Sequence, residues 1–170
     1  MSDPNVLVFI TDGHRKDTLG CYGNDLIDTP NVDGFAASGM RFESAFCTHS
    51  VCMPTRASLY TGRYPHVHGV WANGIRLPDE ETTLPEVLRR KGYATCASGK
   101  VHFEPQQAYD GGRVPNIQGP YYGFGEVHMS ENKVGEGYLQ FIDREFPALS
   151  AKARARDQMP AQAHELQWIT

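Results

Sequence analysis

Val51–Arg63 reads VCMPTRASLYTGR, and this stretch gives the clearest indication of the fold. Cys52 comes just before Thr55–Thr61, a segment typical of a short helix. Gly62 follows, and glycine commonly ends helices because it adopts the left-handed conformation without strain. Arg56 lies four residues after the cysteine, so both side chains share one face of the predicted helix.

The residue types in this stretch suit a reaction at a charged ester. A nucleophile at position 52 would lie at a helix N-terminus, where partial positive charge favours anions. The forked guanidinium of Arg56 adds a cationic partner for the oxygens of a sulfate or phosphate group. We therefore interpret the chain as part of an ester hydrolase.

Length and composition describe a globular chain. Its 170 residues, 40% hydrophobic and 21% charged, are enough for one domain with a core. A net charge of −4 gives no indication of nucleic-acid binding. No apolar run is long enough to span a bilayer. The first residues lack a signal-like pattern, so we expect a cytoplasmic location, or a periplasmic or secreted one if a leader was removed.

The four cysteines form no CxxC pair, so the sequence does not predict a zinc knuckle or a thioredoxin-like site. We expect Cys21, Cys47 and Cys96 to be reduced and partly buried.

Two apolar runs predict buried strands. Residues 5–10 end at Asp12, and residues 93–98 end at Gly99-Lys100-Val101-His102. Parallel sheets bind ligands at the carboxyl ends of their strands, which makes these polar residues candidates for a site.

Helices are expected between these strands. Thr29 is a candidate N-cap before Pro30, and Thr83 and Glu86 form a capping box. Residues 40–46 alternate as in a strand or extended segment. Strands alternating with helices predict an α/β sandwich.

The later part of the chain is less regular. Residues 104–135 are rich in glycine, proline and aromatic side chains, which predicts a long loop or insertion. Residues 137–146 are expected to form a short helix, 148–156 a helix or linker, and the residues after 160 another helix.

Cys52, Pro54 and Arg56, followed by Leu59, Gly62 and Arg63, resemble the signature of the sulfatase family. Thr55 stands where that family usually has serine. The resemblance implies an alkaline-phosphatase-like α/β fold, with a mixed, mostly parallel sheet sandwiched by helices and incomplete in this chain. It also implies that Cys52 is oxidised to formylglycine, whose hydrate is the nucleophile.

The same resemblance implies a divalent metal. Asp12 matches the first ligand of an acidic pair, and the diol at Cys52 would be another ligand. Gly13 cannot supply the second acidic ligand because it has no side chain. The expected metal is Ca²⁺, with Mg²⁺ or Mn²⁺ as alternatives.

Lys100 and His102 resemble the family's Gly-Lys-x-His element, which implies contacts to the oxyanion of the ester. This pair favours a sulfatase over a phosphonate hydrolase. His66 and His68 have ligand-like spacing, but a zinc site would need further ligands. One of the two histidines is a weaker candidate for substrate contact.

The implied reaction is attack of the diol on sulfur, loss of the alcohol and expulsion of sulfate. Arg56 and Lys100 would hold the charged groups, and His102 would move or position a proton. The expected substrate is a small-molecule or sugar sulfate ester. The alternatives are a phosphonate monoester or phosphodiester hydrolase with the same nucleophile, and a noncatalytic fragment.

The resemblance is good over residues 5 to 103. The family's later Asp-His-Gly element does not occur in the sequence. We therefore expect residues 1–170 to be the N-terminal part of a single catalytic domain, inactive alone, whose C-terminal half or a partner chain supplies the remaining metal ligands.

Overall fold

The computed structural model describes residues 3–105, 117, 119–131 and 135–157. The chain divides into two compact units, Met1–Phe46 and Cys47–Thr170. The helix expected after residue 160 lies outside the described residues.

The first unit holds two short 3₁₀ turns, Lys16–Thr18 and Gly20–Tyr22, and helix α1, Pro30–Ser38. Proline at the first position and Gly39 at the end bound α1 as predicted. Thr29 occupies the N-cap position as predicted, but its side chain makes no capping hydrogen bond, because its hydroxyl donates to Asp33 over 3.0 Å.

For the first unit, the sequence predicted a strand over residues 5–10 and a strand or an extended segment over residues 40–46. Residues 5–10 and 40–46 form no strand there. Leu7 and Phe9 are 78% and 87% exposed, although their run was expected to be buried on both faces. An extended segment becomes a strand only through ladder hydrogen bonds to a neighbour, and none of the described residues provides one here.

The described residues of the second unit form seven elements. They are α2 (Cys52–Thr61), α3 (Pro65–His68), α4 (Leu84–Arg90), β1 (Cys96–Gly99), β2 (Glu126–Met129), α5 (Glu136–Glu145) and α6 (Pro147–Asp157). Helices α5 and α6 confirm the helices expected over 137–146 and 148–156. No described helix is long and apolar enough to cross a membrane.

Helix α2 begins three residues earlier than predicted. The carbonyl of Val51 accepts the Thr55 N–H over 3.1 Å, so the first turn starts at Cys52. Pro54 fits within this turn because its missing N–H would have no partner inside the helix. Gly62, at φ 68°, ends the helix as expected. The cysteine is therefore the first residue of the helix rather than the residue before it.

Strands β1 and β2 pair in parallel, with Cys96 opposite Glu126 and Ser98 opposite His128. The long loop or insertion predicted over 104–135 therefore includes a strand at residues 126–129, while residues 106–116, 118 and 132–134 lie outside the described residues. The strand predicted at 93–98 begins later and is buried on one face only: Ala97 points into the core and Cys96 is exposed.

The core of the second unit joins α2 to the sheet and to the loops that follow them. Phe103 is 1% exposed and packs edge-on against Tyr60 of α2, with ring centroids 5.1 Å apart. The other buried apolar members are Met53, Ala57, Val70, Leu77, Ala97, Val101, Tyr121, Phe124, Val127 and Met129. This packing fixes the loop after β1 beside α2.

Half of the capping box predicted for α4 forms. The Thr83 hydroxyl accepts the Glu86 N–H over 3.3 Å. The Glu86 carboxylate turns away to Arg89 and Arg90, because two guanidinium groups lie one turn further along its own helix.

Candidate active site

Cys52 occupies the first turn of α2, half-buried, beside the side chain of Asn73. The Asn73 amide oxygen accepts the Met53 N–H over 3.1 Å, which satisfies one of the free donors at the helix start. The Asn73 amide nitrogen then faces Cys52 and lies 3.7 Å from Sγ. One side chain thus caps the helix and orients the group at position 52.

Arg56 projects from the next turn of α2 into the core and is 4% exposed. Its Nη1 donates to the backbone carbonyl of Lys100 over 2.6 Å. A buried guanidinium requires hydrogen-bond partners, and this carbonyl is one of them. The contact joins the helix that begins at Cys52 to the main chain at Lys100.

The loop after β1 has an unusual backbone. Gly99 has φ 92°, and His102 has φ 56°, a left-handed conformation that is uncommon for residues other than glycine. The N–H groups of Val101 and His102 donate to Oε1 of Glu131, over 3.2 and 2.8 Å. Glu131 therefore holds the backbone of the loop in this conformation.

The surroundings of the Glu131 carboxylate have opposing effects on its pKa. Burial raises the pKa of Glu131, while the two backbone N–H donors and the charges of Lys100 and Arg56 act to lower it. Its second oxygen, Oε2, is buried without a hydrogen-bond partner among the described residues. The two cations face a partly buried carboxylate in this structure.

Asp12 belongs to the first unit and is described within it. Its side chain is exposed, and Gly13 beside it has φ 65°. His14 Nε2 lies 2.8 Å from the hydroxyl of Thr18. Asp12 is thus exposed on its own unit, whereas Cys52, Arg56, Lys100 and His102 all belong to the other.

His68 has a structural environment. It is 1% exposed, its Nδ1 accepts the Val70 N–H over 3.1 Å, and its Nε2 lies 2.9 Å from the Ser58 hydroxyl. With both ring nitrogens engaged, it is not available to a zinc ion. Burial lowers the pKa of His68, which favours the neutral ring. His66 is exposed and stacks on Tyr64.

None of the four cysteines forms a disulfide, which agrees with the expectation that Cys21, Cys47 and Cys96 are reduced. Cys21 is half-buried, but Cys47 and Cys96 are exposed, so the prediction of partial burial is wrong for those two. Cys96 lies on the exposed face of β1, and Cys47 lies in the irregular stretch 41–48, in which every residue is exposed.

Comparison with known proteins identifies the family of this chain. The sulfatase family profile matches residues 4–150, which is most of the chain. The chain belongs to the sulfatase family. The match includes Cys52, Arg56 and the loop with Lys100 and His102, the segments on which the sequence resemblance rested.

Two relatives show the extent of the similarity. The uncharacterized sulfatase YidJ of Escherichia coli K12 is 33% identical over 97% of this chain and 37% of its own length. The N-acetylglucosamine-6-O-sulfatase of Bacteroides thetaiotaomicron is 33% identical over 82% of the chain and 26% of its own length. The chain thus spans between a quarter and two fifths of these relatives.

A solved structure also aligns with the fold. A protein in complex with its substrate D-glucosamine-2-N,6-O-disulfate matches 55% of this chain and 19% of its own, at a TM-score of 0.53 and 35% identity. The structural match supports the alkaline-phosphatase-like fold, of which this chain forms part.

Asn73 and Glu131 are site residues that the sequence did not reveal. Asn73 lies 21 residues after Cys52, and Glu131 lies 29 residues after His102. Neither falls in a motif with recognisable spacing.

Proposed function

We propose that the protein takes part in the hydrolysis of sulfate esters, with its nucleophile derived from Cys52. The contact between Arg56 and the Lys100 carbonyl carries this proposal. It joins a helix-terminal nucleophile position and two cationic side chains within one unit. A tetrahedral dianion or monoanion at this place would meet a helix N-terminus and fixed positive charge.

The surroundings of position 52 fit an oxidised side chain. The Asn73 amide nitrogen, 3.7 Å from Sγ, would donate equally well to an oxygen there. When residue 52 carries formylglycine, its hydrate supplies a hydroxyl nucleophile. Arg56 then holds the sulfate group in position, and Lys100 neutralises the charge that develops on the sulfate oxygens. His102 moves or positions a proton.

The proposal includes a divalent cation only as an expectation from the family. In this chain, Asp12 and the group at position 52 are the ligands for which we argue, and Gly13 adds no side-chain oxygen. Ca²⁺ takes six to eight oxygens, so these two do not form a complete site.

The substrate class that we propose is a sulfated sugar or a similar small sulfate ester. Support comes from the relatives whose names specify a sulfated amino sugar. The pair of Lys100 and His102 supports a sulfate ester over the alternative phosphonate or phosphodiester substrates.

The test is mass spectrometry of the tryptic peptide 42–56 from protein expressed in its native host. This peptide contains Cys47 as well as Cys52, so one thiol serves as the internal control for the other. After alkylation, Cys47 should carry the label, and residue 52 should have an aldehyde in place of its CH₂SH group. Active protein with two alkylated thiols in this peptide would refute the proposed nucleophile.

A further inference from the structure

Three potential metal ligands meet on the exposed face of the β1–β2 pair. They are the thiol of Cys96, the carboxylate of Glu126 and the imidazole of His128. One ligand atom from each lies within 4.8 Å of the other two. All three residues are exposed, so an ion can reach them from solvent.

The parallel register places these side chains together. Cys96 pairs with Glu126, and Ser98 pairs with His128 two residues further along. Because side chains alternate along a strand, Cys96, Glu126 and His128 share the exposed face while Ala97 and Val127 enter the core. The arrangement therefore rests on paired backbone rather than on a loop.

We propose that Cys96, Glu126 and His128 form a zinc site with three protein ligands. Sulfur, nitrogen and oxygen together form a donor set of intermediate softness, which suits Zn²⁺ better than Ca²⁺ or Mg²⁺. Three protein ligands leave one tetrahedral position for water or another small ligand.

The geometry needs only a small adjustment to hold the ion. Ligand atoms around tetrahedral zinc lie about 3.3–3.8 Å apart, given the usual metal–ligand bond lengths. The three ligand atoms, now up to 4.8 Å apart, must therefore move closer to one another. Glu126 Oε1 and His128 Nε2, now 2.7 Å apart, must separate slightly. Exposed side chains can make such movements by rotation about their χ angles.

Proton release accompanies binding at this site. Partial desolvation and, to a lesser extent, the neighbouring Glu126 carboxylate raise the pKa of the Cys96 thiol. The free thiol is therefore protonated, and coordination transfers its proton to solvent as the sulfur–zinc bond forms. No oxidant or reductant is needed.

Space for a fourth ligand exists beside the triad. Glu126 and His128 line a cavity of about 700 Å³ between the sheet and helix α5. Tyr138, Phe141 and Arg144 form its other side. A zinc ion on the triad would thus lie at the rim of a cavity large enough for water or a small anion.

The test is zinc binding by the purified 170-residue chain in competition with a chromophoric chelator. One Zn²⁺ should bind per chain. Zinc affinity should fall by about 10- to 100-fold or more in each of the variants Cys96→Ser, Glu126→Gln and His128→Asn. Loss of a residue that only supports a metal ligand already has an effect of this size, so loss of a ligand should have at least as large an effect. Cys47→Ser, which removes an exposed thiol elsewhere, should leave affinity unchanged.

Cobalt substitution supplies a second measurement. Co²⁺ bound to the triad should show thiolate charge-transfer absorption, and Cys96→Ser should abolish it. The proposal is overturned if no Zn²⁺ binds, if the three substitutions leave affinity unchanged, or if bound Co²⁺ shows no thiolate band. None of these outcomes depends on the proposed sulfatase reaction, since Cys52 is not involved.

Discussion

The guanidinium of Arg56 donates to the main-chain carbonyl of Lys100, and this 2.6 Å contact joins helix α2 to the loop after β1. Arg56 is buried, so its hydrogen bonds cannot be replaced by water without disturbing the core. The side chain that is proposed to bind an anion also holds the site together.

We expect Arg56→Lys to lower the free energy of unfolding by about 1–3 kcal/mol, because it leaves a buried carbonyl without its charged donor. Urea denaturation of both proteins measures the difference. Arg63→Lys is the matched control. The Arg63 side chain is 54% exposed and reaches Glu81 only over 3.4 Å, so its loss should cost less than about 1 kcal/mol. Equal effects of the two substitutions would contradict the structural role of Arg56.

Lys100 should matter for turnover rather than for folding. Its main chain makes the contact to Arg56, so Lys100→Ala keeps that hydrogen bond and removes only the charge. In protein with oxidised Cys52 and measurable sulfatase activity, turnover should fall by a factor of about 10²–10³, the usual effect of losing one oxyanion partner. Lys91→Ala, an exposed lysine after α4, is the control. Near-normal turnover of Lys100→Ala would exclude Lys100 from the site.

The sequence predicted the parts of the site that depend on local order. Helix α2, Gly62 at its end and the Lys100 loop follow from spacing along the chain. The strand predicted over 5–10 did not form among the described residues, because strands depend on partners that apolar content alone does not specify. Asn73 and Glu131 contact segments more than 20 residues away in sequence. Contacts of this kind are set by packing, which periodicity does not encode.

His68 should make the second unit sensitive to acid. Its pKa is lowered by burial, so the unfolded chain binds a proton more readily than the folded one. The contribution of neutral His68 to the free energy of unfolding should therefore be fully present above the ordinary histidine pKa of about 6.5. It should decrease as the pH falls from there through the lowered pKa. Chemical denaturation from pH 8 to about 5 tests this expectation. His68→Gln should flatten the dependence and His66→Gln should not; an unchanged profile in His68→Gln would refute it.

Glu131 should produce a pH dependence of opposite sign. Its pKa is raised by burial, so the folded chain retains the proton longer than the unfolded one. Stability should then decline as pH rises from the ordinary glutamate pKa of about 4.3 through the raised value. Glu131→Gln keeps an oxygen that accepts the Val101 and His102 N–H groups and removes the titration.

The measurement is the difference in free energy of unfolding between Glu131→Gln and the unaltered chain as a function of pH. This difference should grow in favour of the variant as pH rises through that window. Glu80→Gln, at an exposed position, should show no such trend. A constant difference across the window would mean that Glu131 is not held in a desolvated environment.

Asn73 should control both the start of α2 and the reactivity of Cys52. Asn73→Ala removes the oxygen that caps the Met53 N–H and should cost about 1 kcal/mol of stability. Asn73→Asp keeps a capping oxygen, so stability should change little. Its carboxylate replaces the amide donor beside Sγ and disfavours the thiolate by like-charge repulsion.

We therefore expect iodoacetamide to alkylate Cys52 of the unmodified Asn73→Asp chain about 3- to 10-fold more slowly than in the parent chain. Cys47 lies in the same tryptic peptide, and its rate should not change, which corrects for differences in reagent and recovery. Slower labelling of both cysteines would indicate a general change in the chain. An unchanged rate at Cys52, with stability preserved, would show that the Asn73 amide does not act on the group at position 52.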